Sequence, residues 1–385
     1  MDDISFILNH LGEERANYFG AVAPPHIQSS NFAFRSTDEL RHALLHESEK
    51  SLYTRGKNPT SDILCKKIAA LAGAESALVL GSGMAAMSTA VLSLVSTGKH
   101  VICQQHPYSW TKKLCTKILA AFGVEYTFVD GTDTANIKNA IRPNTTLIIL
   151  ESPNTFTFEI QDLKAVAALA KQQGITTIID NTYCTSLGQR CIELGIDIEV
   201  HSLTKYYSGH SDVVAGCIIG SQHLIEKIFA TGFQNIGGIL SPHDSWLILR
   251  GLRTLPLRLK QVKETTDKVV AFLAQHPRVE KVLYPFHHSF AQHALAQQQM
   301  QWCGGLFSIQ LKAQSTDEVE LFVNNLKAFL LAVSWGGHES LVFPVCAALP
   351  KGNYNSHLPF NLIRFYCGLE SSDFLIADLK QALNK

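Results

Sequence analysis

The stretch His201-Ser202-Leu203-Thr204-Lys205-Tyr206 carries the clearest chemistry in this chain, with apolar runs on both sides of it. Lys205 has hydroxyl residues one and three positions before it. A desolvated lysine loses its proton readily, and the neutral amine can form a Schiff base with an aldehyde. Ser202 and Thr204 can hold an anion beside that amine. A lone Thr-Lys pair is also compatible with a solvated surface lysine, since Lys is mostly exposed, so the reading depends on the residues upstream.

Asp180 closes the apolar run Thr176–Ile179, about one strand–helix–strand step before Lys205. A carboxylate at the end of a buried strand points at a ligand; the alternative is a turn residue or helix cap. Gly81-Ser82-Gly83-Met84 closes another apolar run and opens a helical pattern. Small residues there let the backbone approach a phosphate, and a helix N-terminus supplies N–H groups and positive potential. Taken alone, the segment also fits a plain tight turn. It is neither a P-loop nor a dinucleotide fingerprint, because no Gly-Lys-Ser/Thr follows and the third glycine is absent. Tyr108 follows the run Val101–Cys103 and can stack on a ring or pack in the core. Tyr53 and Arg55, two apart in extended chain, point to one side and can clamp a phosphate, or Arg55 is a solvated loop residue. Arg364 is a lone charge in an apolar run and needs a partner, either a substrate carboxylate or an internal ion pair. A Schiff-base lysine together with an acidic partner for a pyridinium nitrogen is the pair that pyridoxal phosphate requires.

Short apolar runs alternate with helical patterns from residue 61 onward. Strands are expected at 77–80, 101–103, 126–129, 146–150, 176–179, 198–201 and 215–220, with helices at 61–72, 85–95, 111–122, 133–140 and 162–173. Such alternation predicts a parallel sheet covered on both faces, with ligands beyond the carboxyl ends of its strands. Residues 1–60 read as an irregular arm that must lie on its own body or on a neighbouring subunit. A long helical stretch over about 242–275 is expected to link the large domain to a smaller α+β one. That second part should hold strands at 279–284, 306–311 and 362–367, and helices at 317–328 and 372–383.

Together these residues resemble the Cys/Met-metabolism family of pyridoxal-phosphate enzymes. The likeness runs from about Pro24 to the C-terminus. Its motifs are Tyr53-Thr54-Arg55, Gly81-Ser82-Gly83-Met84-Ala85-Ala86, Glu151-Ser152-Pro153, Asp180-Asn181-Thr182, Thr204-Lys205-Tyr206 through Asp212, Gly251-Leu252-Arg253-Thr254-Leu255, and Ser334-Trp335-Gly336-Gly337. The resemblance implies the fold-type-I, aspartate-aminotransferase-like α/β architecture. It implies an N-terminal arm (1–60), a large cofactor-binding domain (61–250) and a smaller α+β domain (251–385). Lys205 would carry the cofactor and shuttle protons, Asp180 would pair with the pyridine nitrogen, and Tyr108 would stack on the ring and assist Lys205. Gly83, Met84, Ser202 and Thr204 would bind the phosphate, joined by Tyr53 and Arg55 from a neighbouring subunit. Such sharing implies a homo-oligomer, a dimer of dimers. Ser334 and Arg364, with Trp335 beside them, would receive the substrate. Within the family, Trp335 and the uncharged Val333 look like the cystathionine β-lyase subgroup, and Trp110 stands where methionine γ-lyases tend to have a cysteine. The implied reaction is β-elimination of L-cystathionine. γ-Replacement, cysteine desulfhydration and an inactive scaffold are the rivals.

Composition sets the outer bounds. The 33 basic and 33 acidic residues cancel, which leaves no electrostatic footprint for nucleic acid or an anionic membrane. The acidic start lacks the basic region of a signal peptide, and no apolar run is long enough to span a bilayer. The nine cysteines are odd in number and scattered. That pattern suggests reduced, buried thiols in a cytoplasmic protein rather than disulfides or a metal site.

Overall fold

The computed structural model describes residues 3–351 and 354–385. The larger of two sheets is built from β1 (Ser76–Leu80), β2 (His100–Gln104), β3 (Glu125–Val129), β4 (Thr145–Glu151), β5 (Thr176–Asp180), β6 (Ile198–His201) and β7 (Gly216–Gly220). Their order is β1-β7-β6-β5-β4-β2-β3. Strands β3, β2, β4, β5 and β6 run parallel, so their carboxyl ends share one edge. Side chains on both faces of β2 and β6 are buried, which is why these strands read as continuous apolar runs.

Strand β7 departs from the expected parallel sheet, running antiparallel to both β1 and β6. The link from β6 to β7 contains no helix, and a parallel return would need a crossover of a dozen or more residues, usually helical. The chain instead turns back through Ser202–Asp212. The residues with the strongest chemical signal therefore form the reversal itself, at the sheet's carboxyl edge.

The second sheet has the order β10-β11-β12-β9-β8, with β8 (Val279–Leu283), β9 (Leu306–Leu311), β10 (Leu330–Leu331), β11 (Leu341–Pro344) and β12 (Leu362–Tyr366). It is antiparallel apart from the β10–β11 pair. Strands β10 and β11 were not expected from sequence. The fold is thus α/β with a smaller C-terminal domain.

The expected helical stretch consists of two helices, Pro242–Leu252 and Leu255–Ala274, with a break at Arg253-Thr254. Pro256 sits in the first turn of the second helix, where a missing N–H costs nothing. The N-terminal 60 residues are not all irregular. Helices occupy Ile4–Asn9 and Thr37–Leu45. The second starts at a serine N-cap, with the Ser36 hydroxyl accepting from the Glu39 amide at 3.2 Å and the Glu39 carboxylate accepting from the Arg35 amide at 2.9 Å. Among the described residues, no helix is long and apolar enough to cross a membrane.

Candidate active site

Asp180 is the last residue of β5 and Glu151 the last of β4, and the parallel register sets them opposite each other. His201 ends the adjacent β6, and the turn that follows carries Lys205. Three hydrogen bonds close this turn: Lys205 N to Ser202 O at 3.2 Å, Ser208 N to Leu203 O at 2.9 Å, and Gly209 N to Lys205 O at 2.8 Å.

The Lys205 amine donates to the Ser334 hydroxyl and lies 5.6 Å from the Trp335 ring centroid. Burial, reinforced by the Arg364 charge, pushes its pKa down to about 8 against the opposing pull of Asp180. The 334–340 loop presses directly on the lysine. A Cβ added to Gly336, whose φ is +88°, would stand 2.8 Å from Lys205 Cβ, so only glycine fits. Ser211 Oγ donates to both Glu339 carboxylate oxygens, at 2.7 and 2.8 Å, tying this loop to the lysine turn.

Asp180 accepts from the Thr182 amide at 3.1 Å and from the Thr182 hydroxyl. Burial raises its pKa, opposed by these hydrogen bonds and by the His201 and Lys205 charges. Glu151, fully enclosed, is pushed up to about 8 by burial first and by Asp180 second. It accepts from the Tyr108 amide at 2.5 Å. Two carboxyls side by side resist ionising together, and burial pushes both of these upward.

Beside them, the helix Gly83–Leu92 is capped by Ser82, whose hydroxyl accepts from the Ala85 amide at 2.9 Å. The Ser82 carbonyl takes the Ala86 amide. This cap leaves the Gly83 and Met84 amides directed out of the helix end. A Cβ on Gly83 would lie 2.8 Å from Ser202 Cβ, so the helix start and the lysine turn touch. The Thr204 hydroxyl accepts from the Ala215 amide at 2.9 Å and donates to its carbonyl at 3.2 Å. To serve a phosphate, that hydroxyl must release the carbonyl.

Arg364 reaches this edge from β12. Its Nη1 donates to Thr155 Oγ1 at 3.1 Å and its Nη2 to the Ser334 carbonyl at 3.5 Å. The Phe156 and Phe343 rings lie 4.9 and 5.6 Å from the guanidinium. Among the described residues no carboxylate pairs with it, so the internal ion pair weighed from sequence is not found there. Tyr108 stays exposed at the head of a short helix. Burial of its hydroxyl, with the Asp180 and Glu151 charges, raises its pKa.

Tyr53 and Arg55 are the two expected site residues that lie elsewhere. They are not in extended chain: Gly56 N and Lys57 N both donate to the Tyr53 carbonyl, which makes a turn. Arg55 sits 5.6 Å over the Tyr53 ring and donates to Gln234 Oε1 at 3.2 Å. Both side chains are exposed.

The profile of the Cys/Met metabolism PLP-dependent enzyme family matches residues 6–384. The chain belongs to that family. It is 35% identical over 384 residues to an L-methionine gamma-lyase of Treponema denticola, covering 98% of this chain and 95% of that protein. A cystathionine gamma-lyase of Bacillus subtilis is 37% identical over 337 residues, covering 86% and 88%. The solved structure of a putative O-acetylhomoserine (thiol)-lyase from Campylobacter jejuni, which holds N'-pyridoxyl-lysine-5'-monophosphate, superposes with a TM-score of 0.93 at 27% identity. That match covers the whole of both chains.

The family's cofactor is pyridoxal phosphate, and the residues at this edge fit it. A neutral-prone amine, a strand-end carboxyl held by Thr182, and a helix end made shallow by Gly83 are the three groups that its aldehyde, ring nitrogen and phosphate need. The sequence singled out Asp180 but assigned no role to Glu151, although both carboxylates close apolar strands. It also gave no role to Thr182 or Phe156, which contact Asp180 and Arg364; only tertiary contact distinguishes them from loop residues.

The depressed lysine pKa has a direct consequence. In cofactor-free protein, acylation of Lys205 by an amine-selective reagent should rise with pH around a midpoint near 8. An ordinary lysine titrates about two units higher, near 10.4. Mass spectrometry of the modified peptide reads this; a midpoint above 10 contradicts the geometry.

Proposed function

We propose that the protein is a carbon–sulfur lyase that cleaves the Cβ–S bond of L-cystathionine. Bound pyridoxal phosphate supplies an electron sink for a carbanion at the substrate Cα. Arg364 binds the substrate carboxylate through its guanidinium fork, which lies between the Phe156 and Phe343 rings, with Ser334 beside it. Lys205 removes the Cα proton, helped by Tyr108, and Asp180 holds the ring nitrogen protonated. The thiolate of homocysteine departs from Cβ, and the released aminoacrylate hydrolyses to pyruvate and ammonia. Gly83, Met84, Ser202 and Thr204 hold the phosphate. Tyr53 and Arg55, which lie apart from Lys205 in this chain, reach the phosphate of a second copy, with a dimer as the smallest active unit and a tetramer as a pair of dimers.

The observation that carries β-cleavage is the grip on Lys205. Its amine is bonded to Ser334, and Ser334's own carbonyl accepts from Arg364. With the Trp335 ring alongside, this keeps the amine beside the group that would take the substrate carboxylate, which supports proton removal at Cα, the step from which a thiolate leaves Cβ directly. Val333 is exposed and uncharged, so position 333 offers no acidic group to a distal amine.

Elimination at Cγ is the second reading, favoured by relatives named methionine and cystathionine gamma-lyase. Keto-acid analysis after incubation with L-cystathionine separates the two. Pyruvate with homocysteine is the expected result. 2-Oxobutyrate with cysteine would replace the reading with γ-elimination, and the absence of any keto acid would direct attention to an activated homoserine plus a thiol.

A further inference from the structure

We propose that Arg258 is a positioning residue for Lys205, fixing the backbone turn that aims the lysine amine at the cofactor. The proposal rests on the reading that Lys205 bears the cofactor. Arg258 is 8% exposed and lies in the first turn of the Leu255–Ala274 helix. Its Nη1 donates to the Tyr206 carbonyl at 2.6 Å. Its Nη2 donates to the Gly251 carbonyl at 2.8 Å and the Tyr207 carbonyl at 3.5 Å, and its Nε to Thr254 Oγ1 at 3.1 Å. Among the described residues, no carboxylate balances this buried charge.

A guanidinium taken out of water is costly unless its donors are well used. Here the donors are spent on the two carbonyls that directly follow Lys205 and on the broken helix junction. The break at Arg253-Thr254 exposes the Gly251 carbonyl and the Thr254 hydroxyl to one fork, which an unbroken helix would not offer.

The surroundings leave no slack. Gly209, at φ +70°, would place a Cβ 1.9 Å from Arg258 Nη1, and a Cβ on Gly251 would lie 2.4 Å from the Ser208 carbonyl. From the other side, the Gly305 amide donates to the Tyr206 hydroxyl at 2.6 Å. The residue after Lys205 is thus fixed at its backbone by Arg258 and at its ring tip by Gly305, both from the C-terminal part of the chain. Arg258 touches neither the lysine amine nor the carboxylate site, so its influence on Lys205 runs through the main chain. A lysine in its place offers one point charge where a planar fork serves three segments.

The test compares R258M and R258K with R253M and with K205A. R253M removes a guanidinium from the same junction, but Arg253 holds Glu13 and the Leu8 carbonyl, not the turn. Covalent attachment of pyridoxal phosphate to cofactor-free protein is followed by visible absorbance, alongside thermal melting. Both Arg258 variants should attach the cofactor on the order of 10–100-fold more slowly and lose kcat by a similar factor with KM nearly unchanged, the scale expected of a small misplacement. In the cofactor-free variants, the Ser208 and Gly209 amides should exchange faster with deuterium. R253M should lower the melting temperature and leave the attachment rate alone. Should R258M fail to accumulate, T254V, which removes only the hydroxyl that accepts from Nε, carries the same sign at a few-fold size. Unchanged attachment in R258K and T254V would overturn the proposal. Full attachment in K205A would overturn the lysine assignment beneath it.

Discussion

Lys205→Ala should leave a folded protein that no longer binds pyridoxal phosphate covalently and turns over thioether substrates several orders of magnitude more slowly. Two separate losses combine. The amine bonded to Ser334 is the group proposed to form the covalent link, and it is also the proposed base at Cα. Loss of a positioned general base alone costs roughly 10²–10⁴-fold. Stability should change little by comparison, because burial disfavours the charged amine and the alanine removes that penalty along with the contact to Ser334. Lys205→Arg sharpens the interpretation: it restores a cation and a donor but cannot form the link, so it should be as colourless as the alanine variant. Visible absorbance after adding cofactor, with keto-acid release as the second measurement, checks both. Near-normal turnover in either variant would remove Lys205 from the centre of the site.

Much of this site was legible because its residues interrupt apolar runs. Asp180, Lys205 and Arg364 each stand as a lone charge beside or within a buried strand, and buried charges need a reason. Glu151 carries the same signal, although the motif that contains it assigns the carboxylate no role. What sequence could not show is which polar residues face one another. Arg258 reads as one more helix charge, since its role depends on the helix break just before it and on a turn some fifty residues upstream. That break had a local mark, Pro256 in a first helical turn. The antiparallel β7 also had one, a link from β6 without a helical pattern. The spacing of Tyr53 and Arg55 suggests extended chain, but Gly56 closes a turn there. The pairing of two residues two apart then comes from a ring-to-guanidinium contact and not from strand geometry.

The second large effect is expected at Asp180. Asn is nearly the same size and can keep the bond from the Thr182 amide, but it carries no charge. A neutral amide opposite the ring nitrogen does not hold that nitrogen protonated, so the ring withdraws electrons from Cα less strongly. Asp180→Asn should still attach the cofactor through Lys205, while kcat falls on the order of 10²–10³-fold, the size of effect seen when one electrostatic partner of a developing charge is removed. Asp180→Glu keeps the charge with a longer arm and should recover part of the rate. A second readout is independent of turnover. Glu151 is raised to about 8 by burial and, after that, by Asp180. Removing the neighbouring charge takes away the smaller cause only. The Glu151 pKa should therefore fall in Asp180→Asn yet stay above the ordinary carboxylate range, so its proton is lost at lower pH than in the parent protein. The infrared band of a protonated carboxylic acid, followed with pH in cofactor-free protein, reports that shift. Wild-type kcat in Asp180→Asn, with the Glu151 titration unmoved, would mean that the two strand-end carboxylates neither sense each other nor face the cofactor ring.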